Sequence, residues 1–406
     1  MQRNLIIAAI ALVVILGLGT GAYFLFFEGK PSVSVAPTGS SLPSAGQVTQ
    51  STGTGNGSSE PGGSGTGITN APVAVSGRLV QISAGPVVPG MVVTDKKPRN
   101  ASSTPEVMVS YIERGSGNVF SYTVGSKTIT RINNKTIPGI QSASWLPDAS
   151  AAFVRYLSGE DLSTINTYSL SATSTSGFFL PQNLLDISVS STSVLSLASG
   201  VNGSAISAAR TDGTRSTTIF TTPLTSLRAS FAGKGQYLVY TKPSATLTGD
   251  AFLVDSNGFF SHVAGPLSGL SALASPSGKW LLVSYIQGAT MQMQLVDTVT
   301  NTTLPLPVSS LTDKCVWTSD NSSIYCGVPV SPNTSATYPD DWYQGAAHFS
   351  DRIWKIDVAG RYAQLVLDFS QAGKGALDAT AFAINPSRTM LVFINKNDGS
   401  LWGYSL

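Results

Sequence analysis

Short apolar runs recur along most of this chain, and a turn of small and polar residues precedes each of them. Typical runs are AAFVRY at 151–156, YLVY at 237–240 and WLLVSY at 280–285. The turns open 43 to 45 residues apart, with one longer interval of 67, at Ser102, Pro147, Ser190, Gly233, Pro276, Ser319 and Pro386. Strand-like runs that repeat about every 43 residues are typical of a β-propeller.

The repeats predict an all-β, seven-bladed propeller over residues 77–406. Each regular unit contains four strands, which we call A to D from the axis outward, and the recurring turn joins A to B. The last unit has its A strand at 378–384, then B and C, but it lacks a D strand. The isolated strand at 78–83 can supply it, which would pair both ends of the domain in one sheet and leave no free edge.

The amino-terminal part predicts a membrane anchor and a tether. Residues 5–27 contain no charged side chain, and about 23 residues of helix span roughly 34 Å, enough to cross a bilayer. Arg3 lies before this segment, so residues 1–4 are expected in the cytoplasm and the propeller outside it, in a single-pass cell-membrane protein. A cleaved signal peptide is the alternative. Residues 28–76 are rich in Ser, Thr, Gly and Pro and predict a flexible linker.

The loop directions predict which face of the propeller is available for binding. If the tether joins the start of a D strand, it arrives on the face formed by the A–B and C–D turns. The B–C and D–A loops would then point away from the membrane. The net charge of +2, with 11% charged residues, gives no reason to expect a nucleic-acid partner.

The 67-residue interval locates the candidate binding site. Its excess falls in one B–C loop, 328–350, and long loops in a terse repeat are usually functional or disordered. The candidate binding residues combine aromatic rings with polar groups: Tyr338, Asp340, Asp341, Trp342, Tyr343, His348 and Phe349. The alternative is that Trp342 and Tyr343 fold back as a plug over the axis.

Catalytic, cofactor and metal sites are not predicted. His348, Asp340, Asp341 and Asp351 match neither the ligand spacing of a calcium loop nor that of a zinc motif. The chain has two histidines, and the propeller region has no Gly-x-Ser-x-Gly motif.

The two cysteines are predicted to form a disulfide. Cys315 and Cys326 lie at equal distances from the centre of the Asp320–Asn321 turn, which makes them cross-strand partners of an A–B hairpin. Two buried free thiols are the alternative.

Several stretches resemble known bacterial propellers. SPSGKWLLVSY at 275–285 and WTSDNSSIYCGV at 317–328 resemble the repeats of TolB-type proteins, which implies a propeller that serves as an envelope binding platform. KCVWTSDNSSIYCGVP and YPDDWYQGAAHFSDRIWKID are similar to uncharacterised single-anchor propellers of bacteria with small genomes. This chain departs from TolB-type proteins in having an anchor and a tether in place of an extra amino-terminal domain.

Together these features predict a membrane-anchored platform that binds a protein or an envelope polymer. The alternative is an extracytoplasmic hydrolase or lyase acting on glycan or peptide in the central funnel. A buried carboxylate pair lining that funnel would favour the enzyme, whereas hydroxyl and apolar groups would weigh against it.

Overall fold

The computed structural model describes residues 73–74, 77–97, 105–174 and 176–406. These residues form seven antiparallel sheets, the predicted seven blades. The first described strands are β1 (Val73–Ala74) and β2 (Leu79–Gln81), which belong to the last blade. The first three blades are β3 (Val92–Lys96), β4 (Glu106–Ile112), β5 (Val119–Thr123) and β6 (Thr128–Asn133); β7 (Ile140–Trp145), β8 (Ala151–Ser158), β9 (Thr164–Ser171) and β10 (Gly177–Phe179); and β11 (Leu184–Val189), β12 (Ser193–Gly200), β13 (Gly203–Arg210) and β14 (Thr217–Thr222).

The remaining blades follow the same order. They are β15 (Leu227–Phe231), β16 (Gln236–Thr241), β17 (Thr248–Asp255) and β18 (Phe260–Ser268); β19 (Ser271–Ala274), β20 (Trp280–Gln287), β21 (Thr290–Asp297) and β22 (Thr303–Pro305); β23 (Cys315–Trp317), β24 (Ser323–Pro329), β25 (Asp351–Asp357) and β26 (Tyr362–Asp368); and β27 (Ala379–Ile384), β28 (Met390–Asn395) and β29 (Leu401–Ser405). A 3-10 turn (Thr312–Lys314) precedes β23, and one short helix, α1 (Asp340–Gln344), lies between β24 and β25.

The core lies between neighbouring blades, so the inner strands are buried on both sides. All six residues of β28 are buried, whereas the outer strand β22 is largely exposed. Leu282 and Met293 of the fifth blade pack with Ile324 and Ile356 of the sixth. This explains why B and C strands read as near-continuous apolar runs rather than as strict alternation.

The recurring turns approach each other closely around the axis. Gly233 has φ 76°, and a side chain there would meet Ser277 O of the next turn at 2.3 Å. Gly278 has φ 77°, and its missing side chain would meet Ala232 O at 2.4 Å. Glycine is therefore required at both positions for backbone conformation and for space.

The predicted closure of the last blade is confirmed. β2 pairs antiparallel with β29, with Leu79 opposite Tyr404, and Arg78 Nε donates to Ser405 O at 2.8 Å. Asp95 of the first blade also accepts hydrogen bonds from Asn385 Nδ2 at 2.6 Å and from Ser387 N at 2.7 Å. Strand pairing and these side-chain contacts together join the two ends of the ring.

The closing strand is part of a hairpin, which the sequence did not predict. β1 pairs antiparallel with β2 as a fifth, outermost strand, with Val73 opposite Gln81. The described part of this hairpin therefore starts at the end of the blade opposite to the start of β2. Which face of the propeller points away from the membrane stays a prediction.

The predicted anchor at 5–27 and nearly all of the linker at 28–76 lie outside the described residues. Among the residues that are described, no helix is long and apolar enough to span a membrane.

The predicted disulfide is confirmed. Cys315 of β23 and Cys326 of β24 are directly opposite in the strand register, and their Cα atoms are 4.1 Å apart. Both residues are buried between the fifth and sixth blades. The bond joins the innermost strand of the sixth blade to its neighbour.

Candidate functional site: a loop that caps one face

The loop between β24 and β25 follows a defined path. At its base Val330 N donates to Ser350 O at 2.8 Å. In the first turn of α1, Asp341 Oδ2 accepts a hydrogen bond at 2.7 Å from Thr337 N, which lies just before the helix. Carboxylates in the first turn of a helix are stabilising because they interact favourably with the helix dipole. Gly345 ends the helix with φ 81°, a conformation that side chains disfavour. We call residues 330–350 the cap and the face that carries it, formed by the B–C and D–A connections, the cap face.

The aromatic side chains of the cap point into the protein. Tyr338, Trp342 and Phe349 are 5%, 3% and 3% exposed, and they pack with Met291 and Leu311. The rings of Trp342 and Phe349 stack with centroids 6.2 Å apart. Trp342 thus folds back as in the alternative in which Trp342 and Tyr343 form a plug, and Tyr343 is partly buried against the same cluster.

An ionic cluster lies directly beneath these rings. Lys314 Nζ contacts Asp351 Oδ2 at 2.8 Å and also Asp378 Oδ1, and all three side chains are completely buried. Trp342 Nε1 and Phe349 N both donate to Asp378 Oδ2 at 3.0 Å. Asp378 thus joins the underside of the cap to the start of the last blade.

Of the two buried carboxylates, Asp351 and Asp378, Asp351 has fewer hydrogen-bond donors around it. Its Oδ2 accepts from Ala379 N at 2.7 Å, but its Oδ1 is buried without a partner. Burial raises the pKa of Asp351 to about 6, although the charge of Lys314 acts in the opposite direction. These groups form a buried ion pair under the cap, and they line none of the cavities described below.

Polar contacts also hold the rim of the cap to several blades. Asp340 Oδ1 accepts from Ala245 N of the fourth blade at 3.1 Å. Tyr343 OH donates to Asp313 Oδ2 at 2.5 Å. Burial raises the pKa of Tyr343 well above its usual range and the charge of Asp313 adds to the effect, so this phenol stays a donor. Together with Asp378, these contacts tie the cap to three blades.

The outer side of the cap is exposed and borders an apolar groove. Residues 331–335 and His348 are exposed, and the side chain of Val330 is 47% exposed. The groove has a volume of 460 Å³ and lies between the cap and the fifth blade. Its apolar lining includes Met291, Pro307, Val308, Val330, Pro332 and Trp354.

The opposite end of the axis opens into a larger cavity of 1130 Å³ among the A–B turns. Hydroxyl groups and aromatic rings line it, and Lys234 is the one charged residue among the described residues of the lining. The lining includes Ser190, Thr192, Ser193, Phe231, Tyr237, Ser275, Ser277, Trp317 and Phe382. The described part of this lining contains no carboxylate and therefore no carboxylate pair for acid and base chemistry.

The residues considered as metal ligands do not come together. His348 is exposed and makes no described contact with Asp340 or Asp341, while Asp351 is bound to Lys314. The described residues contain no group of three or more His, Cys, Asp or Glu side chains placed to hold one ion.

The sequence analysis missed Lys314 and Asp378. They lie 64 residues apart, and nothing in their local sequence distinguishes them from solvent-exposed charges. The available signal was position, because each immediately precedes an A strand and therefore lies at the axis.

No known protein family matches the sequence, and no curated protein is significantly similar to it. Solved structures share its backbone. An oligogalacturonate lyase in complex with manganese is 10% identical and aligns over 84% of this chain and 96% of its own, with a TM-score of 0.56. An oligogalacturonate lyase from Vibrio parahaemolyticus is 9% identical over 80% and 93%, with a TM-score of 0.54. Identities this low show a common fold and do not transfer an activity.

TolB from Acinetobacter baumannii superimposes less closely, with 13% identity over 73% of this chain and 64% of that one and a TM-score of 0.42. The propeller architecture implied by the TolB resemblance is nevertheless confirmed, because the seven blades themselves establish it. The resemblance to single-anchor propellers stays a prediction.

Proposed function

We propose that this chain is a membrane-anchored propeller, held outside the cytoplasm by residues 5–27 and the linker at 28–76, that binds a partner protein through its cap face. The partner would contact the outer side of the cap and the groove beside it. No cofactor or metal is required for this role.

The observation that carries the proposal is the construction of the cap. A long loop that served only as a connection would not need a buried aromatic underside and a fully buried carboxylate such as Asp378 to hold it. These contacts fix the backbone of the cap before any partner arrives, so little ordering entropy opposes binding. The groove between Val308, Val330 and Trp354 is apolar, which suits a protein segment better than a hydroxyl-rich polymer.

The contact residues differ from those first considered. Tyr338, Trp342 and Phe349 support the cap from inside, so their substitution would test the stability of the cap and not its contacts. The exposed Val330 and the neighbouring segment at 331–335 are the better candidates, since they can meet a partner without rearrangement.

Site-specific photo-crosslinking of the full-length protein in its native cell tests the proposal. A photoreactive amino acid is placed at Val330 or, as a control, at Val299, which is 81% exposed on the opposite face. A discrete protein adduct is expected from position 330 and not from 299. Identical adducts from both positions, or no adduct from position 330, would contradict the proposal. An adduct to a polymer from position 330 would show that the partner is an envelope polymer and not a protein.

The alternative hypothesis is a hydrolase or lyase acting on glycan or peptide in the central funnel. The fold shared with oligogalacturonate lyases permits it. However, the Asp351–Asp378 pair is bound to Lys314 beneath the cap instead of lining the funnel. The alternative requires another set of acid and base groups, and we therefore favour binding.

A further inference from the structure

A second cavity opens on the cap face, between the second, third and fourth blades. Its volume is 390 Å³, which is at the lower end of the range for small-molecule sites. Its lining is polar and mostly positive: Arg155, Asp186, Ser199, Ser204, Thr225, Ser226, Arg228 and Lys242, together with Leu185 and Leu227.

The cations of this cavity outnumber the anions and are not neutralised in pairs. Arg155, Arg228 and Lys242 face one carboxylate, Asp186, and none of them forms an ion pair within 4.0 Å among the described residues. Asp186 is instead occupied by backbone donors, accepting from Ile187 N at 3.0 Å and more weakly from Ala229 N at 3.3 Å. The lining therefore carries an excess of two positive charges.

Two buried polar atoms in the lining also lack partners. Arg155 is held by Leu184 O, which accepts from its Nη2 at 2.5 Å, but its buried Nε–H donates to nothing. The hydroxyl of Ser204 is likewise buried without a partner. Buried donors without acceptors are unfavourable by about 1–3 kcal/mol each, so an acceptor placed in this cavity, an ordered water or an anion, would be stabilised by them.

Arg228 lies between this cavity and the cap. Its guanidinium makes no hydrogen bond among the described residues, and the acidic groups whose charges act on it are Tyr240, Asp186, Asp313 and Tyr343. Asp313 is already the acceptor for Tyr343 OH. With Asp313 included, the three cations Arg155, Arg228 and Lys242 and the two carboxylates still sum to a net charge of +1.

We propose that this cavity binds a small oxyanion, a carboxylate or a phosphate group, through Arg155, Ser204 and Arg228. Guanidinium groups offer paired N–H donors that match the oxygens of both anions, and the hydroxyl adds a third donor. Lys242 is exposed at the mouth and attracts the anion without orienting it. This site is distinct from the proposed partner surface at Val330 and does not depend on it.

Isothermal titration calorimetry on the full-length protein in non-ionic detergent tests the proposal. Inorganic phosphate and acetate are titrated separately at constant ionic strength, and chloride serves as the control for charge alone. Saturable binding of either probe is expected, and the stronger of the two identifies the preferred group. If both fail to saturate, or if chloride competes equally well, the proposal is wrong.

Variants show whether the named residues form the site. Arg228→Gln and Ser204→Ala should each weaken binding by about tenfold or more, because each removes a hydrogen bond to an ion. Arg210→Gln is the matched control, since Arg210 is exposed at the far end of the third blade, and it should leave affinity within about twofold. Equal losses of affinity for Arg228→Gln and Arg210→Gln would show that binding depends only on the net charge of the protein, and the proposed site would be wrong. Ser204→Ala decides the matter if Arg228→Gln does not fold.

Discussion

Replacing Lys314 by Met should destabilise the propeller strongly, because the cap is built over its charge. The ammonium contacts Asp351 at 2.8 Å, donates to Ala379 O at 2.9 Å and also contacts Asp378, with no solvent access to any of these side chains. Met fills a similar volume, so the cavity term is small. Two carboxylates are then left buried without their cation, a change that is destabilising by about 3–5 kcal/mol. Domains are stable by about 5–15 kcal/mol, so the effect would be a large fraction of the total.

Urea unfolding of the full-length protein in non-ionic detergent, followed by tryptophan fluorescence, measures the loss. The loss should be larger at pH 8 than at pH 5. Without the ammonium, nothing opposes the effect of burial, which raises the pKa of Asp351 above its unfolded value, so the folded variant gains stability on protonation and loses it as pH rises. Lys355→Met is the control, since Lys355 is half-buried in the same blade, and it should change stability by no more than about 0.5 kcal/mol. If Lys314→Met were destabilising by less than about 1 kcal/mol at pH 8, or its loss grew on acidification, the account of the cap would be refuted.

Three further outcomes follow from the same region. Trp342→Phe keeps the buried ring but removes the donor to Asp378, and it should lower the free energy of unfolding by about 1–3 kcal/mol in the same urea assay. Replacing Cys315 and Cys326 together by Ser should lower it by about 2–3 kcal/mol in the chain-entropy account, and thiol titration of the unreduced, denatured wild type should find no free thiol. Asp351→Asn should flatten the pH dependence, measured as urea midpoints from pH 4 to pH 7. The pKa of Asp351 is raised from 3.8 to about 6, so its contribution is complete below pH 3.8 and is lost as pH rises through about 6.

The architecture was predictable because each blade carries its own local signal. The A–B turns recur at regular spacing, and the residues after each turn are apolar because they pack between two blades. The Cys315–Cys326 bond followed from the same regularity, since the centre of the turn sets the register of the hairpin. The short strand Val73–Ala74 was missed because two residues carry no periodicity.

The interior of the cap was not predictable for physical reasons. Trp and Tyr have large apolar bodies with a polar atom, which suits a recognition surface and a buried plug equally well. An aromatic side chain of this kind is buried when a hydrogen-bond acceptor lies beneath its ring. For Trp342 that acceptor is Asp378, which lies 36 residues further along the chain. The oxyanion cavity was missed for the same reason, because Arg155 and Arg228 come from different blades.

Closure by the strand Leu79–Gln81 has a consequence for how the protein is made. Arg78 and its partner Ser405 are 327 residues apart, so the closing strand, made early, can pair only after the last strand has been made. Until the carboxyl-terminal residues arrive, the seventh blade lacks its outer strands and both ends of the ring keep open edges. Those edges stay open until the two ends pair, and a chain that lacks the last few residues would be unable to close the ring.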